Sequence, residues 1–347
     1  VIEARFFIPG ALDTPTGGYA YDRQILHHLQ QRAFPLVPVE LGGEWPSPTA
    51  KDIAICESLF HSFSEKTALL IDGLAFGAMP ETLLKQAKGP LIAMCHHPLA
   101  YETGLDESRR NELHMSEKAA LAHARSVIVT SDATAGLLAR DFRVPERNIV
   151  IALPGTRRMQ RARGGGDIPH LVAIGSVSRR KNYDGLLEAL QQLADLSWRL
   201  TIAGRFEDEG LMASLVERTS ANDWGDRIQF TGALPDDAIE TLLMGADLFV
   251  MPSHHEGYGM ALMEAVASGL PCVTTDAVPS ARQVPAGAIK SVPSGDSEAF
   301  GAALRELLIN ADARTNMSTL AWDARAKLPD WETAADCVAA AIEKALT

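Results

Sequence analysis

Cysteine is scarce: Cys56, Cys95, Cys272 and Cys337 are the four in 347 residues, far apart and without C-x-x-C spacing. That scatter fits neither a disulfide framework nor a zinc ribbon, so reduced thiols in a cytoplasmic chain are expected. Basic charge is also short, with 32 Lys and Arg against 44 Asp and Glu for a net charge of −12. Phosphate backbones need a basic footprint, which argues against nucleic acid as the main partner. No apolar run approaches the ~18 residues of a membrane-spanning helix. Val1 opens into a strand-like stretch rather than a signal peptide, so membrane contact is expected to be peripheral at most.

What is present is a globular balance, 46% hydrophobic and 22% charged. The chain is too long for one ordinary core and suits two domains of roughly 150 residues each. Apolar runs at Ala68–Asp72, Pro90–Cys95, Ser126–Ser131, Leu171–Gly175, Arg199–Gly204, Arg227–Thr231, Leu248–Pro252 and Pro271–Thr275 alternate with segments of helical period. Such alternation predicts an α/β fold of parallel sheets. The runs fall into two groups around Gly155–Pro169, which holds Arg157, Arg158, Arg161, Arg163 and the triplet Gly164-Gly165-Gly166 and reads as an interdomain linker. The expected layout is two Rossmann-like domains, 1–158 and 159–330, facing a cleft lined by the carboxyl ends of strands. A helix over 331–347 is expected to pack back across that cleft, with Ala334, Ala335, Val338, Ala339, Ile342 and Leu346 at the spacing of one buried face.

The chemistry is densest between Asp247 and Asp276 (DLFVMPSHHEGYGMALMEAVASGLPCVTTD), where an apolar strand enters the loop Pro252–Gly259 and a helix begins near Met260 and ends at Gly269. Gly257 and Gly259 let backbone approach a ligand, and the free N–H groups of the helix start make an anion site suited to a diphosphate. Glu264 lies about one turn into the helix on the face of Met260, and Glu256 sits in the loop before it. Glu264 suits the two hydroxyls of a ribose, and Glu256 can accept from the hydroxyls of an attached sugar. Taken singly, each is an ordinary surface carboxylate.

The pattern P-S-x-x-E-G-x-G-x-x-x-x-E-A-x-A-x-G-x-P resembles the E-x7-E signature of the retaining family-4 (group 1) glycosyltransferases, whose fold is GT-B. Other stretches agree in order, at declining strength over most of the chain. Ala173–Leu190 (AIGSVSRRKNYDGLLEAL) is similar to the family's phosphate-side loop, with Arg180 and Lys181 at its basic pair. Ser176 stands where one common version has Arg directly after the glycine. The resemblance implies Lys181 as phosphate ligand, assisted by Arg180 or Arg179, because a leaving diphosphate gains negative charge as the glycosidic bond breaks. Thr201–Arg205 (TIAGR) and Gln229–Leu234 (QFTGAL) resemble the strand ends beside the base, which implies Gly204, Gly232 and Leu234 as its neighbours.

In the N-terminal half, Pro15–Tyr19 (PTGGY) is similar to the family's glycine loop and precedes a helix expected to begin near Tyr21. Gly17 and Gly18 would then lie against the donor phosphate across the cleft. Leu91–Leu105 (LIAMCHHPLAYETGL) puts His96 and His97 at a strand end, where at most one can face substrate. In the family a histidine here contacts the donor sugar or lies near the reacting centre, and His96 matches it best. His97, Tyr101 and Glu102 are candidates for reading the acceptor. No further ligand spacing accompanies the histidines, so no metal is expected. Ser126–Ser131 and Ile149–Gly155 are expected to close this sheet, although Leu153-Pro154-Gly155-Thr156 lacks the Asn often found before that glycine in the family.

The resemblance implies transfer of a sugar, with retention, from a nucleoside diphosphate donor to a hydroxyl of a glycan, a lipid-linked sugar or a small molecule. Residues 1–158 would bind acceptor and 159–330 the nucleotide sugar. His96, Glu256, Lys181 and Arg180 are the catalytic candidates; Gly17, Gly18, Ser176, Gly204, Gly232, Leu234, Gly257, Tyr258, Gly259, Met260 and Glu264 are the donor contacts. Neither cofactor nor metal is required. UDP is the expected nucleotide because it is common in the family, with GDP as the alternative. Competing readings are a non-catalytic nucleotide-sugar-binding subunit and another enzyme of the same fold, such as a nucleotide-sugar epimerase or a phosphorylase. The basic residues of Arg157–Arg163 and Ser108–Arg125 are expected to form a solvated face, with peripheral contact to an inner membrane surface as the alternative.

Overall fold

Each apolar run named above forms a strand in the computed structural model, which describes residues 2–347. The chain divides into two units, one running from the N-terminus to Gly155 and including Pro329–Thr347, the other Thr156–Leu328. In the first, β1 (Glu3–Pro9), β2 (Leu36–Leu41), β3 (Thr67–Asp72), β4 (Leu91–Cys95), β5 (Ser126–Val129) and β6 (Ile149–Ile151) form a parallel sheet in the order β2-β1-β3-β4-β5-β6. Every residue of β3, β4 and β5 is buried, which is why these strands read as unbroken apolar runs. β2 is an edge and accommodates Pro38, whose missing N–H would break a central ladder. Phe7 anchors the core, with the Phe60 and Phe63 rings edge-on at 5.8 and 5.9 Å.

The last helix, Trp331–Leu346, belongs to this unit and packs on the helix Gly17–Gln31 and on the sheet. Its buried face carries Ala341 and Ala345 beside the expected Ala334, Ala335, Val338 and Ile342, while Ala339 and Leu346 are half-buried. Asp330 caps its start, accepting from Thr333 N at 2.7 Å. Gly155 makes room for that start, since a Cβ there would stand 2.2 Å from Trp331 N.

The second unit repeats the architecture with β7 (His170–Ile174), β8 (Arg199–Ala203), β9 (Ile228–Gly232), β10 (Leu248–Met251), β11 (Cys272–Thr275) and β12 (Ile289–Val292), in the parallel order β12-β11-β10-β7-β8-β9. Trp198 is its largest fully buried side chain, edge-on to Trp224 at 5.3 Å and donating its indole N–H to Leu193 O at 3.0 Å. The glycine- and arginine-rich stretch after Gly155 has no regular secondary structure, yet it is strapped to this unit. Ala162 N donates to Ser268 O at 2.7 Å, Arg163 N to Met244 O at 2.9 Å and Gly165 N to Asp247 Oδ1 at 2.7 Å. Among the described residues no helix is long and apolar enough to cross a membrane.

Both strand orders contain a switch point, where successive connections leave in opposite directions: between β1 and β3 in the first sheet, between β7 and β10 in the second. Parallel sheets open a crevice there, at the carboxyl ends of the strands.

Candidate functional site

At the second sheet's switch point, the chain leaving β7 makes a turn, Arg179–Lys181, and the chain leaving β10 makes the loop before Met260. Asn182 ties the two together. It starts the helix Tyr183–Gln191 in the left-handed region (φ 54°), caps Gly185 N at 3.2 Å and donates Nδ2 to Pro252 O at 3.2 Å. Lys181 Nζ consequently reaches Glu256 Oε1 at 2.6 Å, and Arg180 Nη1 reaches Oε2 at 3.1 Å. Gly175 clears the path, because a Cβ there would stand 2.8 Å from Lys181 Cε. Ser253 Oγ adds a third donor to Glu256 at 2.7 Å. Burial opposes the Glu256 charge, but the lysine, the arginine and the hydroxyl outweigh it and hold its pKa down at about 2.

The helix Met260–Ala267 begins at Gly259, whose φ of 102° and contact of a notional Cβ at 2.5 Å with Val278 Cγ1 admit only glycine. No side chain caps this helix, so its first-turn N–H groups are left to an anion. Glu264 Oε1 accepts from Arg157 Nε at 3.1 Å; burial pushes its carboxyl upward while Arg157 pulls it down. Three buried hydroxyls nearby in sequence, Thr156 Oγ1, Ser178 Oγ and Tyr258 Oη, have no hydrogen-bond partner among the described residues. Buried hydroxyls of this kind are costly unless a ligand or water satisfies them. At the ends of the neighbouring strands Gly204 N donates to Gly232 O at 2.9 Å, and a Cβ on Gly204 would stand 2.0 Å from Gly175 O and 2.9 Å from Ser176 N. Ser176, Gly204 and Gly232 therefore share one backbone ledge, with Leu234, Gly257 and Met260 half-buried.

The N-terminal unit assembles a second cluster at its own switch point. Thr16 caps the first helix, accepting from Tyr19 N at 3.3 Å, so the helix begins at Gly17 and not near Tyr21. The cap accounts for the earlier start and puts both glycines in the first turn. A Cβ on Gly18 would lie 3.2 Å from His96 Cδ2, so this glycine rests on the imidazole. His96 follows β4 directly, and its Nε2 lies 3.0 Å from Asp22 Oδ1 and 3.4 Å from Asp72 Oδ2. Burial disfavours the imidazolium, but the two carboxylates prevail and raise its pKa well above the ordinary histidine value. Tyr21 stands edge-on to the ring at 5.2 Å and donates its hydroxyl to Ala152 O at 3.0 Å.

Beyond His96 the turn Leu99–Tyr101 is held by Glu117, a buried carboxylate that accepts from Leu99 N at 2.9 Å. Burial pushes Glu117 up to about 8 against the pull of the Leu99 and Ala100 N–H groups. Tyr101 donates its hydroxyl to Asp141 Oδ2 at 2.6 Å, Glu102 accepts from Thr103 N at 3.0 Å, and His97 is half-buried.

The structure thus gathers Lys181, Arg180 and Glu256 into one cluster and Gly18 and His96 into another; Tyr101 and Glu102 are exposed. Asp22 and Asp72 were not singled out in the sequence. The signal for Asp22 was a charged residue on the helix face otherwise made by Tyr21, Ile25, Leu26 and Leu29. No metal is expected from spacing along the chain, but two carboxylates arrive beside His96 from other elements. Asp22, Asp72 and His96 offer ligand atoms within 4.8 Å of one another, the make-up of a metal site, and the 3.0 Å contact of Nε2 with Asp22 Oδ1 is equally that of a hydrogen bond.

Residues 160–321 match the family described as "Glycosyl transferases group 1". Mannosylfructose-phosphate synthase of Agrobacterium fabrum is 30% identical over 168 residues, 43% of this chain and 37% of that protein. GDP-mannose:cellobiosyl-diphosphopolyprenol alpha-mannosyltransferase of Xanthomonas oryzae pv. oryzae is 33% identical over 173 residues, 47% and 43% of the two chains. The matches span about four-tenths of the length of these two relatives. In three dimensions the chain is similar to HepE of Anabaena, solved with UDP and glucose, with a TM-score of 0.78 at 15% identity over 99% of this chain and 100% of that one. The C-terminal unit thus matches the group 1 glycosyltransferases in sequence, and the two parallel sheets together have the GT-B fold.

Proposed function

We propose that the chain is a retaining glycosyltransferase that moves a hexose from a nucleoside diphosphate donor to a hydroxyl acceptor, with the donor in the C-terminal unit and the acceptor in the N-terminal unit. The observation that carries the reading is the cluster of Lys181, Arg180 and Glu256 at a switch point, beside a helix start that no side chain caps. Lys181, Arg180 and the first-turn N–H groups stabilise the charge that grows on the leaving diphosphate. Glu256 accepts from hydroxyls of the transferred sugar and Glu264 from the ribose, while Thr156, Ser178 and Tyr258 supply further hydroxyls. Holding the donor rigidly lowers the barrier by positioning as much as by charge. His96 contributes from the N-terminal unit, and the turn Leu99–Tyr101 carries the acceptor determinants.

For the nucleotide we put GDP-mannose ahead of the UDP-sugar that family frequency suggests, because the name of the Xanthomonas relative specifies GDP-mannose and that of the Agrobacterium relative contains a mannosyl group. Calorimetric titration of GDP and UDP into wild type, Lys181→Ala and Glu264→Ala tests the reading, followed by turnover of the matching sugar donors. GDP is expected to bind more tightly than UDP, with affinity lowered about tenfold or more in either variant, equivalent to at least about 1.4 kcal/mol. Preference for UDP would reverse the nucleotide assignment. Failure of wild type to bind either nucleotide would sink the donor site.

A further inference from the structure

The imidazole of His96 is fixed from several elements at once. Asp22 and Tyr21 reach it from the helix Gly17–Gln31, Asp72 reaches it from the end of β3, and the Gly18 backbone rests on its Cδ2 edge. Asp22 and Asp72 are 0% and 3% exposed, and a carboxylate so removed from water persists as an anion only beside a donor or cation. Oδ1 of Asp22 meets His96 Nε2 at 3.0 Å and its Oδ2 has no hydrogen-bond partner among the described residues, so the imidazole is the hydrogen-bonding group that compensates this carboxylate. Ring chemistry then has two consequences. Nε2 is committed inward, and the other nitrogen, Nδ1, also carries a proton in the cation, so the ring has donors only.

We propose that Asp22 and Asp72 are positioning residues that lock His96 as an imidazolium with Nε2 turned into the protein, so that it meets substrate through Nδ1–H as a donor to a hydroxyl or phosphate oxygen. His96 therefore stabilises charge and never acts as a proton acceptor. The catalytic half of this inference rests on the transferase reading; the lock itself does not. The other titratable groups around the cluster do not compete for the proton. Tyr19, beside both carboxylates, is pushed up to about 12 by burial, and Tyr21, Cys95 near Asp72 and Cys337 beyond Tyr21 are all pushed upward by burial. Asp22 itself is raised to about 6 by burial against the pull of His96, with Arg23 a weaker influence from the same helix.

The test is nitrogen NMR of 15N-histidine-labelled full-length protein from pH 5.5 to 9, with His96 assigned through His96→Gln, alongside kcat over the same range. In wild type both ring nitrogens of His96 should stay protonated throughout, and kcat should show no loss on the acid side. In Asp22→Asn and Asp72→Asn the ring should titrate nearer the ordinary value of about 6.5. Their kcat should then fall about tenfold or more as pH rises through that lowered value and recover at pH 5.5. A neutral His96 in wild type at pH 7 overturns the proposal without any variant needing to fold. So does a variant that loses activity equally at every pH, which is the behaviour of a merely structural residue, or a shift of the His96 signals by Zn²⁺ that raises kcat. An imidazolium in a chain that turns over no nucleotide sugar counts for the lock and against the transferase reading.

Discussion

Glu256→Gln is the most informative single perturbation of the C-terminal unit. The wild-type carboxylate is 6% exposed and takes donors from Lys181 at 2.6 Å, Ser253 at 2.7 Å and Arg180 at 3.1 Å. Its pKa falls from 4.5 to about 2 despite burial. At about 1.4 kcal/mol per unit, that depression is worth roughly 3 kcal/mol of folding free energy at neutral pH. Because the folded value is depressed, the contribution is complete above about pH 4.5 and disappears as pH falls toward about 2. Gln keeps the shape and one acceptor oxygen but leaves two cations without their anion. The melting temperature of the C-terminal unit should therefore drop by roughly 6–12 °C at pH 7, and the gap to wild type should narrow below pH 4. Scanning calorimetry with and without saturating GDP or UDP provides the second readout. Since a diphosphate can replace the lost anion, nucleotide should raise the melting temperature of the variant more than that of wild type, while turnover falls. An unchanged melting temperature would show that the buried cluster adds nothing to stability. A smaller nucleotide response in the variant would show that Lys181 and Arg180 do not serve the diphosphate.

Three further changes test other parts of the molecule. Gly18→Val brings a branched side chain against a ring whose Cδ2 is already 3.2 Å from the Cβ position, so it should displace the His96 NMR signals and cut kcat about tenfold or more, with little change in melting temperature. Trp198→Ala removes the largest fully buried ring of the C-terminal unit and should cost about 3–5 kcal/mol in denaturant unfolding, with nucleotide affinity unchanged where the unit remains folded. Glu117 is raised to about 8 in the folded protein, so wild type loses stability as pH rises from about 4.5 to 8. Glu117→Gln removes that loss and still accepts from Leu99, so its melting temperature relative to wild type should climb from pH 5 to pH 8; a flat difference would contradict a buried, protonated carboxyl.

Part of the site was legible because it is local. The strand, the loop with Glu256 and Gly257, and the helix from Met260 occupy one short stretch, and their periods and glycines belong to the backbone of that stretch. The central strands were equally readable, since burial on both faces leaves an unbroken apolar run. β2 and β12 were not, because edge strands carry polar residues and, in β2, a proline. The first helix starts earlier than near Tyr21 because Thr16 caps it at Gly17. The stretch after Gly155 has the composition of a free linker but is bonded along the C-terminal unit, and its Arg157 is taken up by Glu264, 107 residues away.

The sequence by itself determined the alternation of strands and helices, the glycines of the loops after the strands and the family signature, because each depends on neighbours a few residues apart. Only the tertiary structure decided that Lys181 would pair with Glu256, 75 residues on, and that Asp22 and Asp72 would close on His96. Those meetings follow from strand order. β7 lies beside β10, and β1, β3 and β4 lie side by side, so loops distant along the chain empty into the same crevice, where buried charges must find one another.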